Sequence, residues 1–229
     1  MRVFLLAQGS QTRMQALLDT PKQLIDINGE PMLLRTIRLL RERYAGMDIV
    51  GVIPDELVWK DVRDAVTYTI TQKNPSYYQM DILRNLRSSF DDDRSVFLHG
   101  DVMWSPEALA MLLDSPKDFG FCVRGSWNIV TGNGRREVYG LSVQQEGYEL
   151  LDAILAQPQV TPCFAVKLLW DLVAQLQEVA FERTTVHRLD QIDYTDDVDF
   201  PEDLRGAELV EEFLKRQDEV RRWRAACSK

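Results

Sequence analysis

The chain has 229 residues, of which 45% are hydrophobic, and this suffices for one full α/β core or for a core with a small lobe. A net charge of −9 and a pI of about 4.8 argue against a general nucleic-acid binder, which needs a basic face, and against binding to an anionic membrane surface. Three scattered cysteines without a CxxC pair argue against a zinc site or a disulfide framework and favour a reducing cytoplasm. The apolar runs are too short for a signal peptide or for a membrane span, which needs roughly 18 residues.

The first strand is predicted at residues 3–7, an uninterrupted apolar run that is typical of a buried parallel strand. It ends at the turn formers Gln8-Gly9-Ser10. A glycine-containing loop at a strand end directs backbone N–H groups beyond the sheet, where they favour anions, and Arg13 and Lys22 add two cations nearby. We therefore expect this loop to hold the phosphates of a nucleotide. Neither GxxxxGK[ST] nor GxGxxG occurs, which excludes a P-loop and argues against a dinucleotide site.

The next hundred residues alternate between helical and strand patterns. The periodicity predicts helices at residues 31–44, 59–65 and 77–90, and strands at 48–53, 67–71 and 95–99. This order implies right-handed βαβ units and a parallel sheet. Because ligands bind at the carboxyl ends of such strands, Gly9, Asn74 and Asp101 are expected at the same edge.

The second half predicts a mixed sheet. We expect a helix that begins at Ser105, strands at 119–123, 139–143 and 180–189, one helix at about 162–178, and a long terminal helix at 201–226. The simplest organisation is one domain of residues 1–229. It comprises a nucleotide-binding half at about 1–115, an acceptor-binding half at about 116–204 and a C-terminal helix at 205–229. The predicted fold class is α/β, a Rossmann-like three-layer sandwich with a mixed, mostly parallel central sheet.

Two acidic features could bind a hard cation. Asp101 follows a predicted buried strand and Gly100, where a carboxylate can hold Mg²⁺, although it could instead cap the turn after the strand. Six acids lie among residues 193–203, and so many negative charges need solvent or a cation. A second metal-binding carboxylate is expected in this segment.

Four motifs, in order, resemble those of the sugar-phosphate and alditol-phosphate nucleotidyltransferases. The opening stretch at residues 6–14, with Pro21-Lys22-Gln23-Leu24, resembles the family pattern L-A-A-G-x-G-T-R-M followed by P-K-x-L. Residues 28–33, Gly100-Asp101-Val102 and residues 197–204 resemble three later family motifs. This sequence departs from the pattern at Gln8, Gln11 and Phe200, where the family has Ala, Gly and Thr.

The resemblance implies a fold of the nucleotide-diphospho-sugar transferase type and a Mg²⁺-dependent nucleotidyl transfer from a nucleoside triphosphate to a phosphorylated acceptor. Arg13 would bind the β- and γ-phosphates, and Lys22 would bind the α-phosphate or the acceptor phosphate. Mg²⁺ would lie between Asp101 and Asp199, with Asp197 as the next choice. The implied nucleotide-binding residues are Ala7, Gln8, Gly9, Ser10, Gln11, Thr12, Gln72, Asn74 and Asp81. We favour CTP as donor and a sugar, alditol or amino-alcohol phosphate as acceptor.

Three alternatives stay open at this point. A metal-dependent glycosyltransferase of the related GT-A-like fold would need a D-x-D motif, whereas the sequence has Asp101-Val102-Met103. A catalytically degenerate, nucleotide-binding relative would explain Gln8 and Gln11. An unrelated α/β binding module is the third. The sequence leaves the oligomeric state open, with a homodimer among the options, and we expect neither nucleic acid nor membrane as a partner.

Overall fold

The computed structural model describes residues 1–7, 20–71, 79–124, 137–156, 165–189, 193–198 and 201–227. The strands are β1 (Arg2–Leu6), β2 (Asp48–Val52), β3 (Tyr68–Ile70), β4 (Arg94–His99), β5 (Val102–Met103), β6 (Phe119–Arg124), β7 (Glu137–Gln144), β8 (Thr184–Leu189) and β9 (Asp196–Asp197). The helices are α1 (Met32–Arg43), α2 (Lys60–Ala65), α3 (Gln79–Leu86), α4 (Pro106–Leu113), α5 (Tyr148–Leu155), α6 (Ala165–Val179) and α7 (Pro201–Cys227).

Seven strands form the central sheet in the order β3-β2-β1-β4-β7-β6-β8. β7 runs antiparallel to both of its neighbours, and the other pairings are parallel. Residues of α3, α5 and α6 share one buried cluster with one face of the sheet, and residues of α1, α2 and α4 share a second cluster with the other face. The predicted α/β fold with a mixed, mostly parallel sheet between two helical layers is therefore confirmed.

The alternation of side chains along β1 shows why an apolar run becomes a central strand. Val3 and Leu5 belong to one buried cluster, and Phe4 belongs to the other. Phe4 stacks on Phe97 of the neighbouring β4, with ring centroids 4.9 Å apart. Because helices cover both faces of the sheet, consecutive residues of this strand are apolar, whereas a strand with one solvent-facing side would have an apolar residue at every second position.

The carboxyl ends of β1, β2, β3, β4, β6 and β8 share one edge of the sheet. At this edge Leu6 is in register with Val52 on one side and with His99 on the other. A second, two-stranded sheet of β5 and β9 lies just beyond the end of β4, where Val102 pairs with Asp197. The segments that follow β1, β3, β6 and β8 along the chain lie outside the described residues.

Three details differ from the sequence-based prediction. The α5 helix was not predicted, because it is only eight residues long and its buried residues Tyr148, Leu151 and Ile154 were absorbed into a region expected to be strands. The predicted strand at 180–189 begins only at Thr184, after a 3₁₀ turn at residues 181–183 in which Phe181 is exposed. The predicted helix at 77–90 is α3 followed by a 3₁₀ turn at residues 87–89.

A tight turn precedes α1 and sets its direction. Asn28 and Gly29 have φ angles of 56° and 94°, the left-handed conformation that an Asn-Gly turn adopts readily. The turn is closed by hydrogen bonds from Ile27 N to Glu30 O at 3.0 Å and from Gly29 N to the Asp26 carboxylate at 2.6 Å. The chain then enters α1 after Pro31, whose fixed φ suits a helix start.

The terminal helix α7 docks beside this turn and beside α1. Ala207 is fully buried with Ile27, Met32, Met103 and Val198 in a third apolar cluster. The guanidinium of Arg35 donates to the Glu211 carboxylate at 2.5 Å and to the carbonyl oxygen of Trp104 at 2.6 Å. In the part of the chain that the structure describes, no helix is both long and apolar enough to cross a membrane.

Candidate active site

The ends of β1 and β4 come into unusually close contact at Gly100. Its amide donates to the carbonyl oxygen of Leu6 at 2.9 Å. A Cβ atom at Gly100 would lie 3.0 Å from that oxygen and 3.1 Å from the Cβ of Ala7. A side chain at residue 100 would therefore require the end of β1 to shift by a few tenths of an ångström, and Gly100 allows Asp101 to lie next to the strand end where the predicted phosphate loop begins.

Lys22 reaches this edge from a 3₁₀ turn at residues 22–24, which follows Pro21. The residue is 8% exposed, and its ammonium forms an ion pair with the carboxylate of Asp101. The Asp101 side chain remains 25% exposed, so the pair faces solvent from one side only. The structure thus brings together two residues that the sequence placed in the site independently, one as a cation for phosphate and one as a metal ligand.

The groups around Asp101 favour its ionised form. Burial acts to raise the pKa of Asp101, but Lys22, His99 and a backbone hydrogen bond together keep that pKa below its usual value. His99, the last residue of β4, shows the opposite direction, because burial lowers its pKa. At neutral pH the edge therefore presents an ionised Asp101 and a neutral His99.

Residues 193–198, which come almost 100 residues later in the sequence than Asp101, also lie at this edge. The amide of Val198 donates to the carbonyl oxygen of Asp101 at 3.1 Å, and β9 pairs with β5. Asp199 follows Val198 directly in the sequence but lies outside the described residues. The chain that carries the expected second carboxylate is thus hydrogen-bonded to the residue that carries the first.

The guanidinium of Arg124 fastens the first part of this segment. Arg124 ends β6 and is 1% exposed. One of its terminal nitrogens donates to the carbonyl oxygens of Asp193 at 2.9 Å and of Thr195 at 2.5 Å. Because a partly buried and a fully buried carbonyl group accept from the same guanidinium nitrogen, this contact fixes the path of the segment.

Ser105, the N-cap of α4, fastens the same segment from a second direction. Its amide donates to the Thr195 hydroxyl at 2.8 Å, and its hydroxyl donates to the Asp193 carboxylate at 2.8 Å. The carboxylate of Asp193 also accepts from the amide of Thr195 at 2.7 Å. Asp193 therefore serves as a structural acceptor between a helix start and a loop.

Tyr139 of β7 fastens the next residue, Asp196. Both side chains are almost fully buried, and the Tyr139 hydroxyl donates to the Asp196 carboxylate. Burial, together with the nearby carboxylates, raises the pKa of Tyr139 well above its usual value. Buried Asp196 was expected among solvated or cation-bound acids, and its protein partners correct that expectation.

Of the predicted site residues, Ala7, Lys22, Asp81 and Asp101 fall within the described residues. Ala7 is buried at the end of β1 and donates to Val52 O at 3.0 Å. Asp81 lies in the first turn of α3 and pairs with Arg84 at 2.5 Å, and its role in reading the base stays a prediction. The others lie outside the described residues: Gln8, Gly9, Ser10, Gln11, Thr12, Arg13, Gln72, Asn74 and Asp199.

Sequence reasoning missed the residues that hold segment 193–198 in place. Arg124, Tyr139 and Ser105 are 69, 57 and 88 residues away from their partners in the chain. A basic residue at the end of an apolar strand was the one visible signal. Nothing in the local pattern at Arg124 or Tyr139 identifies the carbonyl or carboxylate that each one binds.

The fold is similar to that of solved nucleotidyltransferases. A protein from Bacillus anthracis assigned as a glucose-1-phosphate thymidylyltransferase, in complex with a sucrose, has 13% identity and a TM-score of 0.63 over 91% of this chain and 94% of that one. The inositol-1-phosphate CTP transferase of T. maritima has 12% identity and a TM-score of 0.63 over 92% and 96% of the two chains. HddC from Yersinia pseudotuberculosis, complexed with GMP-PN, has 18% identity and a TM-score of 0.59 over 93% and 99%.

No protein-family model and no curated protein sequence matches the chain. The similarity to solved structures covers most of each chain, and at these identities it establishes the fold. The expected nucleotide-diphospho-sugar transferase type of fold is confirmed in this sense.

The described residues at this edge fit a Mg²⁺ ion through one carboxylate. Asp101 offers partly exposed oxygen atoms, the ligand type that Mg²⁺ prefers. Among the described residues no group of three or more His, Cys, Asp or Glu side chains could hold a metal.

Proposed function

We propose that the chain is a Mg²⁺-dependent nucleotidyltransferase, which condenses a nucleoside triphosphate with a phosphorylated small molecule and releases pyrophosphate. The observation that carries the proposal is the ion pair of Lys22 and Asp101 at the carboxyl edge of the sheet, in a fold shared with proteins of that activity. A charged ammonium beside a charged carboxylate suits a reaction in which phosphate groups and a divalent cation must be held together.

In this mechanism an oxygen of the acceptor phosphate attacks the α-phosphorus of the nucleotide. The bond between the α-phosphorus and its bridging oxygen breaks, and pyrophosphate leaves with the electron pair. The acceptor phosphate is already ionised near neutral pH, so no separate general base is needed. The chain's task is to position the two substrates and to neutralise their charge.

Lys22 is proposed to contact the α-phosphate or the acceptor phosphate, and Arg13 and the backbone amides of residues 8–12 are proposed to contact the remaining phosphates. Asp101 and Asp199 would hold Mg²⁺, which neutralises phosphate charge when it is bound. Lys22 is already positioned beside Asp101, so nucleotide binding requires it to share its ammonium between the carboxylate and a phosphate oxygen.

Within this class we propose CTP as donor and an alditol, sugar or amino-alcohol phosphate as acceptor. One structural neighbour is named as a CTP transferase for inositol 1-phosphate and another as a thymidylyltransferase for glucose 1-phosphate. Both names fit a phosphorylated polyol or sugar in the acceptor site. The cysteine pattern of the sequence supports a reducing cytoplasm as the compartment.

A glycosyltransferase of related fold is disfavoured at a specific residue. That chemistry would place a second acid two residues after Asp101, but this residue is Met103, which is fully buried and pairs with Asp196 between β5 and β9. A methionine there offers no oxygen ligand for a metal. The nucleotidyl-transfer proposal uses Asp101 and a later acid instead.

The test is a screen for pyrophosphate release. The four nucleoside triphosphates are each combined with a panel of sugar, alditol and amino-alcohol phosphates, with Mg²⁺ and then with EDTA. We expect release with one triphosphate, one acceptor and metal. Nucleotide binding seen by thermal shift without any release would overturn the catalytic proposal in favour of a nucleotide-binding relative, and the absence of both would overturn the site.

A matched pair of variants ties the reaction to Asp101. Asp101→Asn is expected to abolish release, whereas Asp152→Asn, in an exposed ion pair with Arg87, leaves release unchanged. Asp101→Asn should also weaken the shift in unfolding temperature that Mg²⁺ and nucleotide produce together. An equal effect of both substitutions would contradict the assignment of Asp101.

A further inference from the structure

The helix α7 has two parts with different surroundings. Its first turns pack on the rest of the protein through buried Ala207 and through Glu211, whose carboxylate accepts from Arg35. Beyond residue 214 the described side chains, at residues 215–219 and at Arg222, are all exposed. Lys215 still donates to the carbonyl oxygen of Asn28 at 2.8 Å. The four residues that follow, 216–219, are exposed around the whole circumference of the helix, so α7 extends away from the surface of the protein after Lys215.

Two large apolar side chains lie on the outer face of α7. Leu209 and Phe213 are each 59% exposed, and a spacing of four residues makes them neighbours on a helix surface. In the sequence Val220 and Trp223 continue the alternation of four- and three-residue steps, with Arg216 at the position between. This spacing is typical of a helix that pairs with another helix.

The charges of α7 are divided between its two halves. Residues 201–212 contain five acidic side chains and one basic one, and residues 213–227 contain five basic and two acidic ones. The helix dipole favours this polarity only in the first and last turns, whereas here it extends along the whole helix. Two such helices repel in parallel and attract in antiparallel, where each acidic half meets a basic half.

We propose that α7 is the interface of a homodimer, in which the helices of two copies pack antiparallel about a two-fold axis. Leu209 and Phe213 would be buried along the contact, and the acidic half of each helix would lie beside the basic half of the other. A two-fold axis generates this arrangement from one surface patch used twice. A partner also supplies the packing that the projecting end of α7 lacks, since short isolated helices are marginal in water.

The charge pattern of α7 indicates which helix can pack against it. A helix that complements α7 must carry bases opposite residues 201–212 and acids opposite residues 213–227, and the reversed α7 of a second copy has this order. The helix is 27 residues or about 40 Å long, which allows a contact along several turns on either side of the axis. The proposal does not depend on the chemistry of the site at the sheet edge.

The first test measures the mass of the full chain in solution across a dilution series, by sedimentation or light scattering. We expect a dimer that Leu209→Glu or Phe213→Glu weakens by about 100-fold or more, because the axis places each substitution in the contact twice. Phe181→Glu is the matched control, since Phe181 is 66% exposed in a 3₁₀ turn of another part of the chain. A monomeric wild type, or equal effects of Phe181→Glu and Phe213→Glu, would overturn the proposal.

The second test exchanges the charges. A variant with Glu208→Lys and Glu212→Lys has a neutral first half and a basic second half, so that it lacks an acidic half, and a variant with Arg216→Glu and Arg222→Glu has two halves of net negative charge. Each is expected to be monomeric alone, and an equimolar mixture of the two is expected to form a heterodimer. Circular dichroism verifies that both variants fold. Self-association of either variant at the wild-type strength, or a mixture that stays monomeric, would overturn the antiparallel arrangement.

Discussion

Two acidic segments meet at the carboxyl edge of the sheet, and they are held there in different ways. Asp101 follows β4 directly, and its position depends on its own strand, on Gly100 and on Lys22. Residues 193–198 are held instead by side chains of β6, β7 and α4 that lie far away in sequence. The central sheet thus positions the half of the candidate site that contains Asp101, whereas buried polar contacts position the half that contains residues 193–198.

The difference has a consequence for how each half responds to substitution. Changes near Asp101 should alter the chemistry of the site while they leave the segment 193–198 attached. Changes at Arg124 or Tyr139 should loosen that segment while they leave the Lys22–Asp101 pair intact.

After Asp101→Asn, the largest effect is expected from Lys22→Met. This change removes the proposed phosphate contact and leaves the Asp101 carboxylate without its ammonium, so pyrophosphate release should fall by about 1,000-fold. Lys60→Met is the matched control, because Lys60 forms an exposed pair with Asp64. Initial rates at saturating nucleotide and acceptor measure the effect. A loss below about tenfold would remove Lys22 from the catalytic step.

Arg124→Met tests the other half of the site. The substitution removes the donor to a partly buried and a fully buried carbonyl group, and we expect a loss of about 2–4 kcal/mol in the free energy of unfolding. Arg183→Met is its control, because Arg183 pairs with Asp118 at an exposed position and should cost less than about 1 kcal/mol. Urea unfolding measures both values.

Hydrogen exchange supplies the local readout for Arg124→Met. The amides of Thr195 and Val198 donate within the segment and to Asp101, and they should exchange faster in the variant than in the wild type. Amides of β1, which pair within the sheet, should keep their protection relative to global unfolding. Uniform loss of protection at all of these amides would mean that Arg124 stabilises the whole fold rather than this segment.

These two halves also differ in how far the sequence predicts them. The carboxyl ends of β1 to β4 and the residue after Gly100 are local features, and they were predicted within one residue. The partners of Arg124 and Tyr139 are set by long-range packing, which leaves no periodic signal. The same limit explains α5, where eight residues carry too few turns for the helical period to stand out.

Gly100→Ala tests how close packing between the ends of β1 and β4 contributes to the half of the site that contains Asp101. The new Cβ would lie 3.0 Å from Leu6 O and 3.1 Å from Ala7 Cβ, so the ends of β1 and β4 must separate, at a cost of about 1–3 kcal/mol. Gly51→Ala is the control in the neighbouring β2, because its nearest contact would be an ordinary 3.5 Å. Thermal and urea unfolding measure the difference, and equal stabilities of the two variants would contradict the predicted cost of a side chain at residue 100.

Tyr139→Phe removes one hydrogen bond from the second half of the site. At neutral pH we expect a loss of about 1–2 kcal/mol, since the buried Asp196 carboxylate loses a donor. The difference should shrink in alkali. The pKa of Tyr139 is raised in the folded protein, so its contribution is complete below the unfolded value of about 10 and is lost as the pH rises above it.

Unfolding experiments at pH 9 to 11 measure how steeply the free energy of unfolding falls with pH, and this slope tests the predicted direction of the pH dependence. Above about pH 10 the wild type should lose about 1.4 kcal/mol more per pH unit than Tyr139→Phe, which has no proton to release at this residue. Parallel stability curves for the two proteins across this range would show that the Tyr139 hydroxyl ionises as freely in the folded state as in the unfolded one.

The smallest effect on stability is expected from Asp81→Asn, which belongs to neither half of the comparison. Asp81 and Arg84 form a partly exposed pair one turn apart, and such pairs contribute about 0.3 kcal/mol. Stability should therefore remain close to that of the wild type, and the informative measurement is the ratio of kcat/KM for CTP and for the other triphosphates. If Asp81 reads the base, the ratio changes while the unfolding free energy does not, because an amide both donates and accepts where a carboxylate only accepts. An unchanged ratio would leave Asp81 as the partner of Arg84 and confine the recognition of the base to other residues.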